Sequence, residues 1–235
     1  MMQTPTFMPT FSWRGVLDGA AKGILIAPAL IAFGLAVGVL AFSKGLTALE
    51  IALMSAWVYA GTAQMASLQV WAEPLPLLVL VLTVLAMNAR YVLLSAALRP
   101  PFGALPAWQI YPGLAIFGDG NWALTMRDAS ERRPDAGFLL GSGLVMYLPW
   151  IASTTAGHLF GQVLGDPRRL GLDFMLAALF ATMAVGFFRV ARSVAPLIVA
   201  IVVAVVVQKL IDGPWYLFAG ALAGSLTGAL RVRPT

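Results

Sequence analysis

Long uncharged stretches separated by short polar clusters are the dominant pattern in this chain. Gly23–Ser43 (21 residues), Ile51–Ala72 (22) and Gly213–Leu230 (18) contain no charged side chain. About 20 mostly apolar residues suffice for a helix to cross a bilayer. The pattern predicts eight hydrophobic segments, at about 20–43, 49–71, 74–97, 109–126, 136–160, 170–188, 193–210 and 213–230. The fourth contains Pro112, Gly113, Gly118, Asp119 and Gly120. These residues disfavour a continuous apolar helix and predict a broken or re-entrant segment. The expected fold is therefore all-α: a polytopic integral membrane protein of seven to eight segments. Its expected divisions are a cytoplasmic segment over 1–19, one transmembrane domain over 20–230 and a cytoplasmic tail over 231–235.

Composition sharpens this picture. Of 235 residues, 60% are hydrophobic and 11% charged, too few polar groups to coat a soluble globule of this length. The net charge of +5 is scattered singly or in pairs between apolar runs, so it argues for a membrane rather than a nucleic acid. The absence of cysteine excludes disulfides, thiolate metal sites and thiol catalysis. The first 22 residues have no early basic region followed by a small-residue cleavage site, so no removable signal peptide is expected.

Loop charge sets an expected orientation. With the N-terminus inside and eight crossings, Arg14, Lys22, Arg127, Arg132, Arg133, Arg189, Arg192, Arg231 and Arg233 face the cytoplasm. Lys44, Arg99, Arg168, Arg169 and Lys209 face outward. Nine against five favours cytoplasmic termini. An internal echo also suggests two repeated halves: Pro28, Gly38 and Gly45 with the run that follows resemble Pro149, Gly161, Gly165 and Leu172–Met183.

Polar groups inside apolar segments are costly, which makes them candidates for function. Three clusters stand out. In the second segment, Ser55, Tyr59 and Thr62 or Ala63 recur at spacings of three and four, one face of a helix, with Gln64 further along near Gly61. They serve either helix packing or a local break that frees backbone groups for a solute. In the third segment, Asn88 and Arg90 follow fourteen uncharged residues after Glu73, and eight more precede Arg99. Arg90 snorkels to an interface, holds a substrate carboxylate or pairs with an intramembrane acid. In the fourth, Asp119 lies between Gly118 and Gly120, where it either carries a proton or closes an ordinary turn. Gly141-Ser142-Gly143 and the lone His158 leave an intramembrane hydrolase as an alternative, although such a motif does not establish proximity. A packing role fits His158 better. Phosphate loops and metal-ligand spacings are absent from the sequence.

The ordered set Gly23–Pro28, Phe33-Gly34, Gly38, Ser55–Gln64, Asn88-Ala-Arg90, Asp119 and Gly171–Phe174 resembles the AzlC family, the large subunits of bacterial branched-chain amino-acid exporters. The family commonly has histidine at the position of Tyr91 and tandem acids at Asp119-Gly120. The resemblance implies export of branched-chain or related neutral amino acids across the cytoplasmic (inner) membrane, with a small AzlD-like membrane subunit as partner. It implies neither an enzyme nor a cofactor, and no nucleic-acid partner. Under it, Pro28, Gly34, Ser55, Tyr59, Gly61, Gln64, Asn88 and Arg90 are the expected substrate-binding residues, and Asp119 the expected proton-coupling residue. The competing function is a non-transporting membrane scaffold or assembly subunit.

Overall fold

The computed structural model describes residues 8–164, 194–211 and 215–231. The expected sixth segment, 170–188, the Gly171–Phe174 motif and the second half of the internal echo lie outside them. Every regular element among the described residues is a helix, as it must be where the bilayer offers the backbone no hydrogen bonds.

The described residues fall into two compact units: one holds those up to Trp71 and from Met87 to Leu164, the other Ala72–Ala86 and those from Val194 on. The first contains α1 (Trp13–Gly23), α2 (Ala27–Ser43), α3 (Ala48–Val58), α4 (Gly61–Gln69), α6 (Ala107–Ala115), α7 (Asp119–Glu131) and α8 (Ala136–Leu164). It also takes in most of α5 (Leu77–Phe102), which begins in the second unit. The second unit pairs α9 (Val194–Leu210) with α10 (Trp215–Arg231) through small residues, Gly220 and Gly224 against Ala200, and Gly228 near Pro196.

The strut of the first unit is α8. Glycines let α1 and α2 lie close against it: Gly19 on Phe138, Gly23 on Ser142, Gly38 on Thr154 and Gly157 on Leu35 meet backbone, and Gly34 meets the Ser153 side chain. Chain numbers rise together along both partners, so the α1–α2 pair runs parallel to α8. Small residues at membrane helix interfaces provide the packing contact that lipid, itself apolar, does not drive. At the start of this seam, Asp135 accepts from Ser12 N and Gly137 N, at 3.0 and 2.8 Å. Backbone hydrogen bonds join Thr10 to Pro134 and Ala136 alongside.

Three expected segments are interrupted rather than continuous. The first, expected from residue 20, corresponds to the last turn of α1 and to α2; α1 itself begins earlier, at Trp13, and the pair bends by 65° across Ile24–Ile26. The second becomes α3, opened by a Thr47–Glu50 capping box, and α4, divided at Tyr59 and Ala60. This corrects the single helical face proposed for Ser55, Tyr59 and Thr62. Gly61 opens α4 where only a glycine fits: a Cβ on it would stand 2.7 Å from Trp150 and 2.8 Å from Phe33. The fourth is broken at Ile116–Gly118 between α6 and α7, as its glycines predicted. Among the described residues two helices, Leu77–Phe102 and Ala136–Val163, can by length and composition cross a membrane unaided, or three spans if the bent pair counts as one. The eight expected crossings are thus not each a single long helix.

The structure also removes the hydrolase pairing. Ser142 and His158 lie on one helix, about 24 Å apart at 1.5 Å per residue. Ser142 Oγ donates to the Phe138 carbonyl, and His158 Nε2 lies 2.6 Å from the Leu46 carbonyl with its ring edge-on to Phe42. His158 is a buried packing residue.

Candidate functional site

Two polar clusters form where the helices break. The first lies in the dry interior against α8. Trp150 Nε1 donates to Gln64 Oε1 (2.9 Å), and Gln64 Nε2 donates to Ser55 Oγ (3.0 Å). Ser55 Oγ lies 2.8 Å from Thr154 Oγ1, which itself donates to the Ile151 carbonyl (3.0 Å). Since the Thr154 proton is committed there, Ser55 is the donor to Thr154, and four bonds run head to tail. Ser55, Gln64 and Thr154 are fully buried. A satisfied chain of this kind polarises along its length and specifies one arrangement. It ties α3 and α4 to α8 across their break, and Tyr147 adds a tie by donating to the freed Ala56 carbonyl at 2.9 Å.

The second cluster centres on Arg90. Its Nη2 lies 2.8 Å from Thr62 Oγ1, at the second residue of α4, and 3.0 Å from Asp119 Oδ2, at the first residue of α7. Arg90 therefore joins the N-terminal ends of the two helices that follow the breaks. Those ends carry unpaired backbone N–H groups and partial positive charge. Asp119 at the first turn of α7 complements that charge, and the Gly118 N–H is held by Asn121 Oδ1 at 2.7 Å. No side chain caps α4. Tyr59, at the first break, packs edge-on against Tyr147, and Tyr91 against Phe117 at the second, with centroids 5.0 and 5.5 Å apart. The ion pair is partly open: the side chains of Arg90 and Asp119 are 35% and 47% exposed. Arg90 Nε and Asn88 Oδ1 are buried and find no hydrogen-bond partner among the described residues.

The nine expected residues are thus separated, with Asn88 on α5 near Arg90 but its buried Oδ1 without a partner among the described residues. Arg90, Asp119, Tyr59 and Gly61 gather at the breaks, with Thr62. Ser55 and Gln64 belong to the interior network behind them. Pro28 stands in the first turn of α2 and Gly34 in its seam with α8, so neither joins the Arg90 cluster. Sequence reasoning missed Tyr147, Trp150 and Thr154, although their spacing of three and four on an apolar helix is a legible stripe. No group of metal ligands occurs among the described residues.

Comparison with known proteins finds relatives that are named as membrane proteins. The chain is 26% identical to the inner membrane protein YgaZ of Escherichia coli (strain K12), over 98% of this chain and 96% of that one. It is 27% identical to an uncharacterized membrane protein of Archaeoglobus fulgidus, over 70% and 72% of the two chains. No solved structure matches it. The AzlC protein family matches residues 26–164, the stretch from the start of α2 to the end of α8 that holds both polar clusters, and the chain belongs to this family of membrane proteins.

Proposed function

We propose that the chain is the large subunit of a two-component exporter of branched-chain or related neutral amino acids. It would lie in the bacterial cytoplasmic membrane with both termini inside and be driven by the proton gradient. The observation that carries this reading is the half-exposed Arg90–Asp119 pair at the meeting of two helix breaks. From Leu77, Arg90 stands about 20 Å along α5 and Arg99 about 33 Å, which puts Arg90 well inside a hydrocarbon core about 30 Å thick. An open ion pair at that depth is costly against lipid. A water-filled vestibule, closed in part by the small subunit, removes that cost.

In this mechanism a zwitterion enters at the breaks. Its carboxylate replaces Asp119 on the Arg90 guanidinium, with the uncapped N–H groups of α4 beside it. The released Asp119 receives the substrate ammonium or a proton. The rings of Tyr59, Tyr91 and Phe117 offer apolar surface to an aliphatic side chain. Because substrate and Asp119 contend for one cation, exchange between them couples the two fluxes, and a discontinuous-helix site near midplane suits alternating access.

The test is flux in proteoliposomes holding the chain alone or with its small partner. Counterflow of labelled leucine is expected to be slight alone and restored by the partner. Asp119→Asn should lose accumulation driven by a pH gradient while retaining exchange. Full activity of the chain alone removes the two-component part of the reading. Asp119→Asn matching wild type in both modes removes the coupling role, and no flux in any combination leaves a scaffold.

A further inference from the structure

A second feature lies apart from the breaks, at the far end of α5. A cleft of about 270 Å3 opens between that end and α6. Leu98 and Phe102, 3% and 2% exposed, form its floor, and Ile110 and Leu114 of α6 its wall. Arg99 and Tyr111 also line it and are exposed, which places them at its mouth.

Depth follows from the helix. Arg99 stands about 33 Å along α5 from Leu77, at headgroup level for a hydrocarbon core about 30 Å thick. The short turn after Phe102 returns α6 from the same level. Trp108 and Tyr111 in its first turns are 68% and 63% exposed, the placement of interfacial aromatic anchors. The cleft thus runs from the headgroup layer into the hydrocarbon.

The contents of such a cleft are set by its walls and its mouth. Apolar residues make up most of its lining, with Ser95, Arg99 and Tyr111 the polar ones, and the surrounding bilayer supplies acyl chains to an apolar cleft at this depth. Arg99 forms no ion pair among the described residues, so a bare guanidinium with a planar donor fork waits at phosphate level. We infer that this cleft is a phospholipid-binding site, with an acyl chain against Leu98, Phe102, Ile110 and Leu114 and the phosphodiester on Arg99. The site is independent of the transport reading, because Arg99 lies about 14 Å along the helix from Arg90.

Delipidated protein in detergent, titrated with dioleoyl phosphatidylglycerol or with dioleoylglycerol and followed by native mass spectrometry, tests it. Wild type should retain one phosphatidylglycerol and bind dioleoylglycerol, which has the same chains but no phosphate, markedly less. Arg99→Gln should weaken phosphatidylglycerol retention about tenfold and erase the preference between the two lipids. Leu114→Trp, which fills the cleft, should lower retention with Arg99 still present. Arg99 is exposed, so its replacement leaves folding intact and decides the matter even where Leu114→Trp folds poorly. Equal retention of the two lipids by wild type, or unchanged retention in Arg99→Gln, overturns the proposal.

Discussion

Arg90 makes two contacts with one terminal nitrogen, to Thr62 and to Asp119, while its Nε stays unpaired among the described residues. A lysine would keep the charge but offer neither the planar fork nor the second donor set. In Arg90→Lys, labelled-leucine counterflow at equal membrane abundance is expected to fall about tenfold, about 1.4 kcal/mol of lost interaction. An unchanged rate would mean that a point charge suffices. Arg90 and Asp119 were legible in the sequence because ionisable groups deep in apolar segments are rare enough to mark themselves. Their pairing was legible only as one role among several for Arg90, since they are 29 positions apart and it is the fold that brings them together. Gln64 and Ser55 were legible as polar groups but not by role: only the buried partners Trp150 and Thr154 show that both are committed to each other and to α8.

Among the helices, the determining contact is the seam of α2 on α8. A Cβ at Gly38 would collide with the Thr154 carbonyl and stand 2.6 Å from the His158 nitrogen, and neither backbone atom can swing away. Gly120, in α7, would meet only the tip of Met146, at 3.2 Å from its sulfur. Gly38→Ala should therefore cost about 1–3 kcal/mol through overpacking and lower the thermal midpoint measured in detergent. Gly120→Ala should be neutral or slightly stabilising, because methionine yields and alanine favours a helix interior over glycine. Equal midpoints for the two variants would deny that backbone contact holds the seam. Hydropathy located most described helices but treated apolar runs as continuous. The interruption at Tyr59 was one of two readings of Gly61, and the sequence could not choose between them because an aromatic followed by alanine and glycine carries no breaker signal as strong as the prolines and glycines of the fourth segment. The reason a glycine follows the break, the rings of Trp150 and Phe33 packed against Gly61, lies in other helices.

Across the whole molecule, side and crossing number constrain one another. The α7–α8 turn is hydrogen-bonded to the chain just before α1, so Arg14, Arg127, Arg132 and Arg133 share a side, as the loop charges alone suggested. From the level of Gly137 to that of Gly161, which packs on Phe42, α8 rises about 36 Å. The α1–α2 pair follows it, which carries Ser43 to the opposite face of a core about 30 Å thick. Between Ser43 and Asp135 the chain must therefore cross an odd number of times. With α5 long enough to cross, and α7 running beside α5 from Asp119 at Arg90 through Trp122 at Leu94 to the Leu98–Phe102 level where α6 begins, the fourth segment turns back, and by parity the second turns back with it. Both then meet Arg90 in the same sense, the geometry that the proposed site requires. The absence of native cysteine makes the side assignment testable without background. Ser43→Cys and Ser130→Cys are both exposed positions, near the far end of α2 and the near end of α7. In intact cells a membrane-impermeant maleimide should label Ser43→Cys, and Ser130→Cys should react only after permeabilisation. The reverse pattern inverts the orientation drawn from the basic residues while keeping the fold. Labelling of both from the same side would mean that the bent α1–α2 pair does not cross, and the parity argument for the two broken helices would fall with it.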